Sequence, residues 1–153
     1  MSLYLFLKWI HILAPITALG ANLTYAVWIR LGERNPPHLL HSLRGIHFLD
    51  DRIANPAYGV VVVTGLLMVW VNKLSLLTSW ITIPLILVIV VTVLGIAVYS
   101  PALRQQILAA EADGPTSASY QTAARRARLS GALATVLVVA IVFVMVVKPV
   151  LWS

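Results

Sequence analysis

The sequence contains no cysteine, and only 10% of its residues are charged. The absence of thiols excludes disulfide bridges, thiolate nucleophiles and iron–sulfur clusters. The scarcity of charge excludes an ordinary soluble domain, in which roughly 25% of the residues are charged. The chain also lacks a glycine-rich phosphate loop, a His-Glu-x-x-His pattern and serine-triad spacing. This favours a protein that is not an enzyme.

Long apolar runs dominate the chain instead. Hydrophobic residues make up 60% of its 153 residues, and the mean hydropathy is +0.92. An apolar run of about 20 residues crosses the hydrocarbon core of a bilayer as a helix. We therefore predict an all-α, polytopic membrane protein, a four-transmembrane-helix bundle forming one domain over 1–153. The predicted spans are 3–28, 55–71, 80–101 and 131–152.

The segment between the first two spans has a helical pattern of its own. It opens with a break at Pro36-Pro37, and apolar residues then recur at helical spacing over 39–49. Such a stretch is typical of a helix that lies in the membrane interface. We predict a short interfacial helix here, followed by a helix-start cap with an ion pair at Asp50-Asp51-Arg52.

Basic residues are distributed unevenly between the two sides of the predicted bundle. The longer connections, 29–54 and 102–130, contain every arginine and all five acidic residues. The lysines Lys8, Lys73 and Lys148 lie toward the other side. The positive-inside rule then predicts cytoplasmic long connections and outward-facing termini. Because such basic excess attracts anionic lipid, the net charge of +6 indicates a lipid bilayer and not nucleic acid as partner.

A polar stripe follows one face of the first predicted span. Its members recur at spacings of three and four residues: Lys8, His11, Pro15, Ala18, Asn22 and Tyr25. Lipid does not solvate polar groups, so this face should turn toward partner helices or a cavity. For Asn22 and Tyr25 we favour hydrogen bonds that hold helices together.

His11 is the histidine that apolar residues flank on both sides. An ionisable group inside a membrane span is a functional-site hypothesis by default. At ~1.5 Å per residue it lies roughly a third of the way across, at the predicted depth of Met68 and Met145. Histidine with methionine holds haem in some cytochromes, and the same ligands suit copper. His11 is therefore our candidate cofactor and metal ligand.

The other members of this layer have two interpretations. Core packing is the favoured role of Met68 and Met145, because methionine fills gaps in apolar cores. For His11 a cofactor role and a plain hydrogen-bonded histidine both stay open. Lys8 and Lys148 are placed to meet the acidic groups of a porphyrin. Prolines 15, 84 and 149 would add kinks and free carbonyls nearby.

Three more histidines fall in the predicted interfacial segment: His38, His41 and His47. His38-x-x-His41 would present two metal ligands on one helical face, with only Asp50 and Asp51 near to complete a site. We favour solvated side chains at the interface.

Four short stretches carry a resemblance to a known group of proteins. They are Leu7-Lys8-Trp9-Ile10-His11, Asn55-Pro56 with Thr64-Gly65-Leu66, Tyr99-Ser100-Pro101 and Lys148-Pro149. The chain resembles an uncharacterised family of small four-span bacterial integral membrane proteins. That family is loosely related to copper-resistance protein D-like domains and HemJ-type protoporphyrinogen oxidases.

The resemblance implies a four-helix membrane bundle with a haem ligand at His11, the position of a first-helix histidine in HemJ-type enzymes. Those enzymes also use a lysine in the third helix, and no lysine lies between Trp80 and Pro101. The resemblance therefore implies cofactor binding more than the oxidase reaction.

Three functional hypotheses follow from the sequence. The first is a small membrane protein that holds haem b through His11 in the outer leaflet. The second is a cofactor-free accessory subunit whose polar stripe packs against a larger membrane complex or a second copy. The third is copper or small-solute handling, which requires a continuous polar path and ranks last.

Overall fold

A computed structural model describes residues 2–152, and every regular element in this part of the chain is helical. Four helices are long and apolar enough to cross a membrane, which confirms the predicted fold class. Residues 1 and 153 of the predicted domain lie outside the described residues. The elements are α1 (Leu3–Arg34), α2 (Pro36–Leu49), α3 (Asn55–Val71), α4 (Ser79–Leu94), α5 (Ser100–Ala112) and α6 (Ala118–Val147).

Two π-helical segments join helices that the sequence pattern separates. The first π segment, Asp50–Ala54, connects α2 to α3, and the second, Gly95–Tyr99, connects α4 to α5. A proline follows each segment after one residue, at Pro56 and Pro101. Proline lacks an amide hydrogen and clashes with the carbonyl four residues back. A locally widened turn absorbs both effects, so the helix continues through the proline.

This continuity corrects the predicted boundaries. The helix of the second span begins before 55, because α2 runs directly into α3, and the helix of the third continues past 101 to Ala112. Asp50 does not cap a helix start, because the chain is already helical there. The carboxylate of Asp51 lies 3.1 Å from His47 and 3.9 Å from Arg104, and these replace the predicted partner Arg52.

The helices pack as two pairs that share a core at one end. α1 lies mainly against α3 and α4 against α6, with sparse contact between the pairs. Where the arginines lie, α2 and α5 pack against α1, α6 and each other; we call this the arginine-rich end. The terminal end holds both termini and the 72–78 connection. The largest buried apolar cluster lies at the arginine-rich end: Tyr25, Leu39, Leu43, Ile46, Leu103, Ile107, Ala110, Tyr120 and Ala124.

α2 has the predicted apolar face, but protein covers that face. Leu39, Leu43 and Ile46 are buried against neighbouring helices. A Cβ atom on Gly32 of α1 would lie 3.1 Å from the Cα of Leu39, so the missing side chain allows the two backbones to approach. α2 is thus an extension of the second membrane-crossing helix packed on α1 and α5, and among its apolar residues Phe48 stays exposed.

The chain after α6 is not helical, in contrast to the predicted span to 152. α6 ends at Val147, and Lys148 adopts a left-handed conformation with φ 49°. Pro149 therefore follows the helix and does not kink it. The buried hydroxyl of Ser79, at the start of α4, donates to the carbonyl of Pro149 at 2.8 Å and accepts from the amide of Leu151 at 3.1 Å.

Candidate functional site

His11 lies on α1 at the interface with α3. Its Nδ1 atom is 3.0 Å from the hydroxyl of Thr64. That hydroxyl lies 2.6 Å from the backbone carbonyl of Val60 and donates its only hydrogen to it. With the hydroxyl hydrogen assigned to this shorter contact, Nδ1–H of His11 is assigned as the donor to Thr64. The neutral ring then carries its lone pair on Nε2, the atom through which such a histidine binds a metal.

Gly65 makes room for this ring. A Cβ atom built on Gly65 would lie 3.1 Å from Cε1 and 3.6 Å from Nδ1 of His11. Such a contact is tighter than nearly all real Cβ contacts, so a side chain at this position would push the imidazole away by a few tenths of an ångström. Thr64-Gly65 is thus a two-residue seat for His11, with one residue fixing the tautomer and the other admitting the ring.

The Nε2 atom of His11 lies 4.0 Å from a Cβ atom built on Gly65, farther than Cε1 and Nδ1. It has no hydrogen-bond partner among residues 2–152 and is not among the fully buried unpartnered atoms, so it retains accessible surface. An imidazole that binds a metal through one ring nitrogen commonly donates the N–H of the other nitrogen to a neighbouring group, which orients the ring. Thr64 supplies that group here. The arrangement has the donor chemistry of a one-histidine ligand site.

The other predicted site residues are spread around this layer. Met68 is one helical turn beyond Thr64 on α3, and Met145 is on α6; both side chains are partly buried. Lys8 is exposed on α1. Lys148 is also exposed, and its ammonium lies 4.7 Å from the centre of the Trp80 ring. α3 packs on α1, whereas α6 packs chiefly on α4.

The polar stripe of α1 is only partly paired within the chain. Asn22 donates to the hydroxyl of Tyr58 on α3 at 2.7 Å, which confirms the predicted helix-bridging hydrogen bond. Tyr25 is buried against α2 and α5, but its hydroxyl has no hydrogen-bond partner among residues 2–152, so the bond predicted for Tyr25 is wrong. Eleven residues separate His11 from Asn22, about 16 Å along a helix. Pro15 and Ala18 fill that interval on this face, so the polar path is interrupted.

The histidines of α2 do not assemble a metal site. His38 and His41 are exposed. His47 lies beside Asp51 and accepts a hydrogen bond from Arg104 at 3.1 Å. Among residues 2–152, no group of three or more histidine, aspartate or glutamate side chains is arranged to hold a metal ion.

Two surface hollows lie away from His11. One, of about 660 Å³, is lined at the terminal end by residues of 69–76, including Trp70 and Lys73. The other, of about 350 Å³, lies at the arginine-rich end between Glu33, Tyr120 and Arg128. Neither is lined by His11.

Comparison with known families agrees with this helical, apolar architecture. A family model described as a predicted integral membrane protein (DUF2269) matches residues 5–149. The chain belongs to the DUF2269 family. The match covers the chain from α1 to Pro149, which includes His11 and its seat. No curated protein and no solved structure matches this DUF2269 chain.

Several polar residues of this DUF2269 protein were not singled out as site residues by the sequence pattern. Thr64 and Tyr58 are the partners of His11 and Asn22, and Asp50 is buried beside Ser100 and Asn55. A usable signal existed for Thr64, because a small pair inside an apolar span indicates close helix approach. No pattern indicated that Asp50 and Ser100 meet, since fifty residues separate them.

Proposed function

We propose that this DUF2269 protein binds haem b through the Nε2 atom of His11. The observation that carries the proposal is the hydrogen-bond relay from His11 Nδ1–H to Thr64 and on to Val60. The relay leaves the Nε2 lone pair free and fixes the orientation of the ring. The resemblance to HemJ-type enzymes, whose first-helix histidine binds haem, supports the same assignment. Bound haem would supply one-electron chemistry.

The neighbouring residues have distinct roles in this proposal. α3 occupies the Nδ1 side of the ring, so a second protein ligand to the haem would come from another helix. This favours Met145 on α6 over Met68 on α3, which shares the helix of the seat. Lys8, with its ammonium exposed at the same end, is the better partner for a propionate. Lys148 is already directed at Trp80.

We further propose that the protein lies in the inner membrane of a bacterium with its arginine-rich end in the cytoplasm. All the arginines belong to that end, and the lysines Lys8, Lys73 and Lys148 to the other. The positive-inside rule supports this orientation. His11 and its seat then lie in the outer half of the bilayer, on the side where both termini emerge.

The alternatives receive less support. An accessory subunit that docks through its polar stripe needs stripe residues that have no partner in their own chain. Here His11 and Asn22 bond to α3 of the same chain. Passage of copper or a small solute needs a continuous polar route, and the apolar interval around Pro15 and Ala18 interrupts it.

The visible spectrum of the full-length protein, purified without added haem, tests the proposal. We expect a Soret band that the substitution His11→Ala removes. Thr64→Val keeps His11 but removes the hydroxyl that orients its ring. We expect the affinity for haem to fall by about 10–100-fold, as is typical when the hydrogen-bond partner of a ligand histidine is removed. Met145→Leu should convert a six-coordinate spectrum to a five-coordinate one, while Met68→Leu should not.

The matched control is His38→Ala, which removes an exposed histidine from α2. It should retain the full Soret band and the retention volume of the unmodified protein on gel filtration. A Soret band of full intensity in His11→Ala, or no band in the unmodified protein after expression with a haem precursor, would overturn the haem assignment.

A further inference from the structure

Asp50 is a buried carboxylate without a basic partner. It is 5% exposed, whereas the other four acidic residues are exposed. The ion pairs among residues 2–152 use Glu33, Asp51 and Glu111 as their acids. Asp50 belongs to none of them. Taking an unpaired carboxylate out of water costs several kcal/mol even after relaxation, so its position requires a compensating interaction.

Both π segments contribute to the surroundings of Asp50. Asp50 opens the first π segment, and its Oδ2 atom accepts from Ser100 at 3.1 Å and from Asn55 at 3.4 Å. Asn55 and Ser100 are the residues between each π segment and its proline. Two equivalent Xaa-Pro positions, forty-five residues apart, thus direct their side chains at one carboxylate oxygen. Among residues 2–152 the other oxygen, Oδ1, has no hydrogen-bond partner, and it retains some accessible surface.

A second unpartnered oxygen belongs to Tyr25, which is near enough to Asp50 for their charges to interact. Tyr25 is 5% exposed, and among residues 2–152 its buried hydroxyl has no hydrogen-bond partner. The charge of Asp50 acts on the hydroxyls of Tyr25, Tyr58 and Tyr99. A buried hydroxyl without a partner is unfavourable, and so is a buried carboxylate without a basic partner. One positively charged species that takes oxygens from both groups would compensate both.

The donor chemistry restricts what that species is. The available atoms are oxygens of one carboxylate, hydroxyls and an amide, which suit hard cations and not thiophilic metals. A single negative charge matches a monovalent ion, whereas Ca²⁺ sites have six to eight oxygen ligands, usually from several carboxylates. Two basic groups near Asp50, His47 and Arg104, are paired with Asp51. The other charged and titratable groups around it are the exposed Asp51 and Arg52 and the three tyrosines.

We propose that Asp50 takes up one monovalent cation, Na⁺ or a proton, at the point where the two π segments meet. Tyr25 supplies a further oxygen to Na⁺, and Asn55 and Ser100 hold the carboxylate in place. Na⁺ and the proton compete for the same charge. The site is separate from His11, which lies fourteen residues away from Tyr25 on α1, about 21 Å along the helix.

The test measures the thermal stability of the full-length protein in detergent, followed by tryptophan fluorescence. NaCl replaces choline chloride at constant ionic strength, and the series is repeated from acidic to alkaline pH. A ligand that binds only the folded state raises the melting temperature with its concentration. A sodium-dependent rise that weakens at acidic pH supports Na⁺ as the cation. A rise on acidification without a sodium effect supports the proton.

Three variants separate binding from structure. Asp50→Asn keeps the shape and the hydrogen bonds to Asn55 and Ser100 but removes the charge, so both responses should disappear. Asp51→Asn removes the neighbouring exposed charge and should keep both the sodium response and the pH response. Tyr25→Phe removes a hydroxyl that has no partner, so it should not lower stability without Na⁺. It should shift the sodium midpoint several-fold upward if Na⁺ is the cation and leave the proton response in place.

Equal responses of the unmodified protein and Asp50→Asn to sodium and pH would overturn the proposal, because a bridging water would then suffice. If Asp50→Asn does not fold, infrared difference spectra of the unmodified protein give a second readout. A protonated-carboxyl band that is lost on adding Na⁺ or base supports cation uptake. A carboxylate band unchanged by either addition excludes it.

Discussion

At the scale of single residues, two glycines set the distances between helices. Gly32 and Gly65 each lie where a Cβ atom would be 3.1 Å from an atom of a neighbouring helix. The neighbour of Gly32 is the backbone of Leu39, which moves only together with its helix. The neighbour of Gly65 is the ring of His11, which can rotate without moving the helix. The first glycine therefore controls helix packing and the second controls the candidate ligand.

The substitution Gly32→Ala should destabilise the arginine-rich end. The added methyl group meets the Cα of Leu39 at 3.1 Å, so α1 and α2 must separate. Overpacking of this kind costs about 1–3 kcal/mol. We expect a lower apparent melting temperature in detergent, with His11-dependent properties unchanged.

Gly45→Ala is the matched control for this prediction. Gly45 is exposed on α2, and a Cβ atom there meets nothing within 4 Å. Alanine is favoured over glycine in a helix by about 1 kcal/mol, so this variant should melt at the same or a higher temperature. Equal melting temperatures for the two variants would argue against the close approach at Leu39.

At the scale of elements, the π segments convert two proline breaks into continuous helices. Periodicity and proline position predicted separate elements ending at 49 and 101. The structure instead has helical chain from Pro36 to Val71 and from Ser79 to Ala112. Besides the prolines, an i to i+5 turn depends on the packing of neighbouring helices and on the bond from Ser100 to Asp50, which are long-range interactions. A local pattern does not encode them.

The non-helical tail after α6 offers a prediction at this scale. Ser79 donates to Pro149 and accepts from Leu151, and the indole of Trp152 donates to the carbonyl of Leu77 at 2.7 Å. Ser79→Ala removes the first two bonds at a buried site, each worth about 0.5–1.5 kcal/mol. Hydrogen exchange at the amide of Leu151 should then accelerate at least several-fold.

Thr122→Ala serves as the control for the tail. Its hydroxyl is exposed and bonds only to the carbonyl of Ala118 in its own helix. Exchange at Leu151 should be unaffected in that variant. Unchanged exchange in Ser79→Ala would show that Trp152 alone holds the tail.

At the scale of the whole molecule, packing is uneven along the bundle. The helix pairs meet in a protein-filled core at the arginine-rich end and contact each other sparsely elsewhere. The exposed residues of the four helices are mostly large and apolar, as a lipid environment requires. The arginine-rich end has the features of a water-exposed four-helix bundle, with ion pairs such as Arg44–Glu111 on its surface.

The absence of cysteine makes the orientation directly testable. Ser75 lies in the exposed 72–78 connection, and Thr116 lies in the exposed turn between α5 and α6. Single cysteines at these positions give one thiol on each side of the membrane. In intact bacterial cells we expect a membrane-impermeant maleimide to label Ser75→Cys and not Thr116→Cys.

Permeabilised cells supply the control, since both variants should then be labelled equally. Labelling of Thr116→Cys alone in intact cells would reverse the proposed orientation. It would also place His11 in the cytoplasmic half of the bilayer.

The sequence alone was sufficient for the class of protein, the number of spans, the apolar face of α2 and the inward polar stripe of α1. These follow from composition and periodicity, because a helix that crosses a bilayer must be apolar over about 20 residues and because an α-helix repeats every 3.6 residues. The choice of His11 as the candidate ligand also came from the sequence, since an imidazole in an apolar run needs a partner.

Only the tertiary structure decided which residues meet. Thr64 and Gly65 form the seat of His11, Tyr58 pairs with Asn22, and Asp50 is buried against Ser100. Each of these contacts joins residues more than thirty positions apart, and each depends on how one helix is rotated against another. Rotation and register are set by side-chain packing across the whole interface, for which hydropathy carries no information because lipid and protein interior are equally apolar.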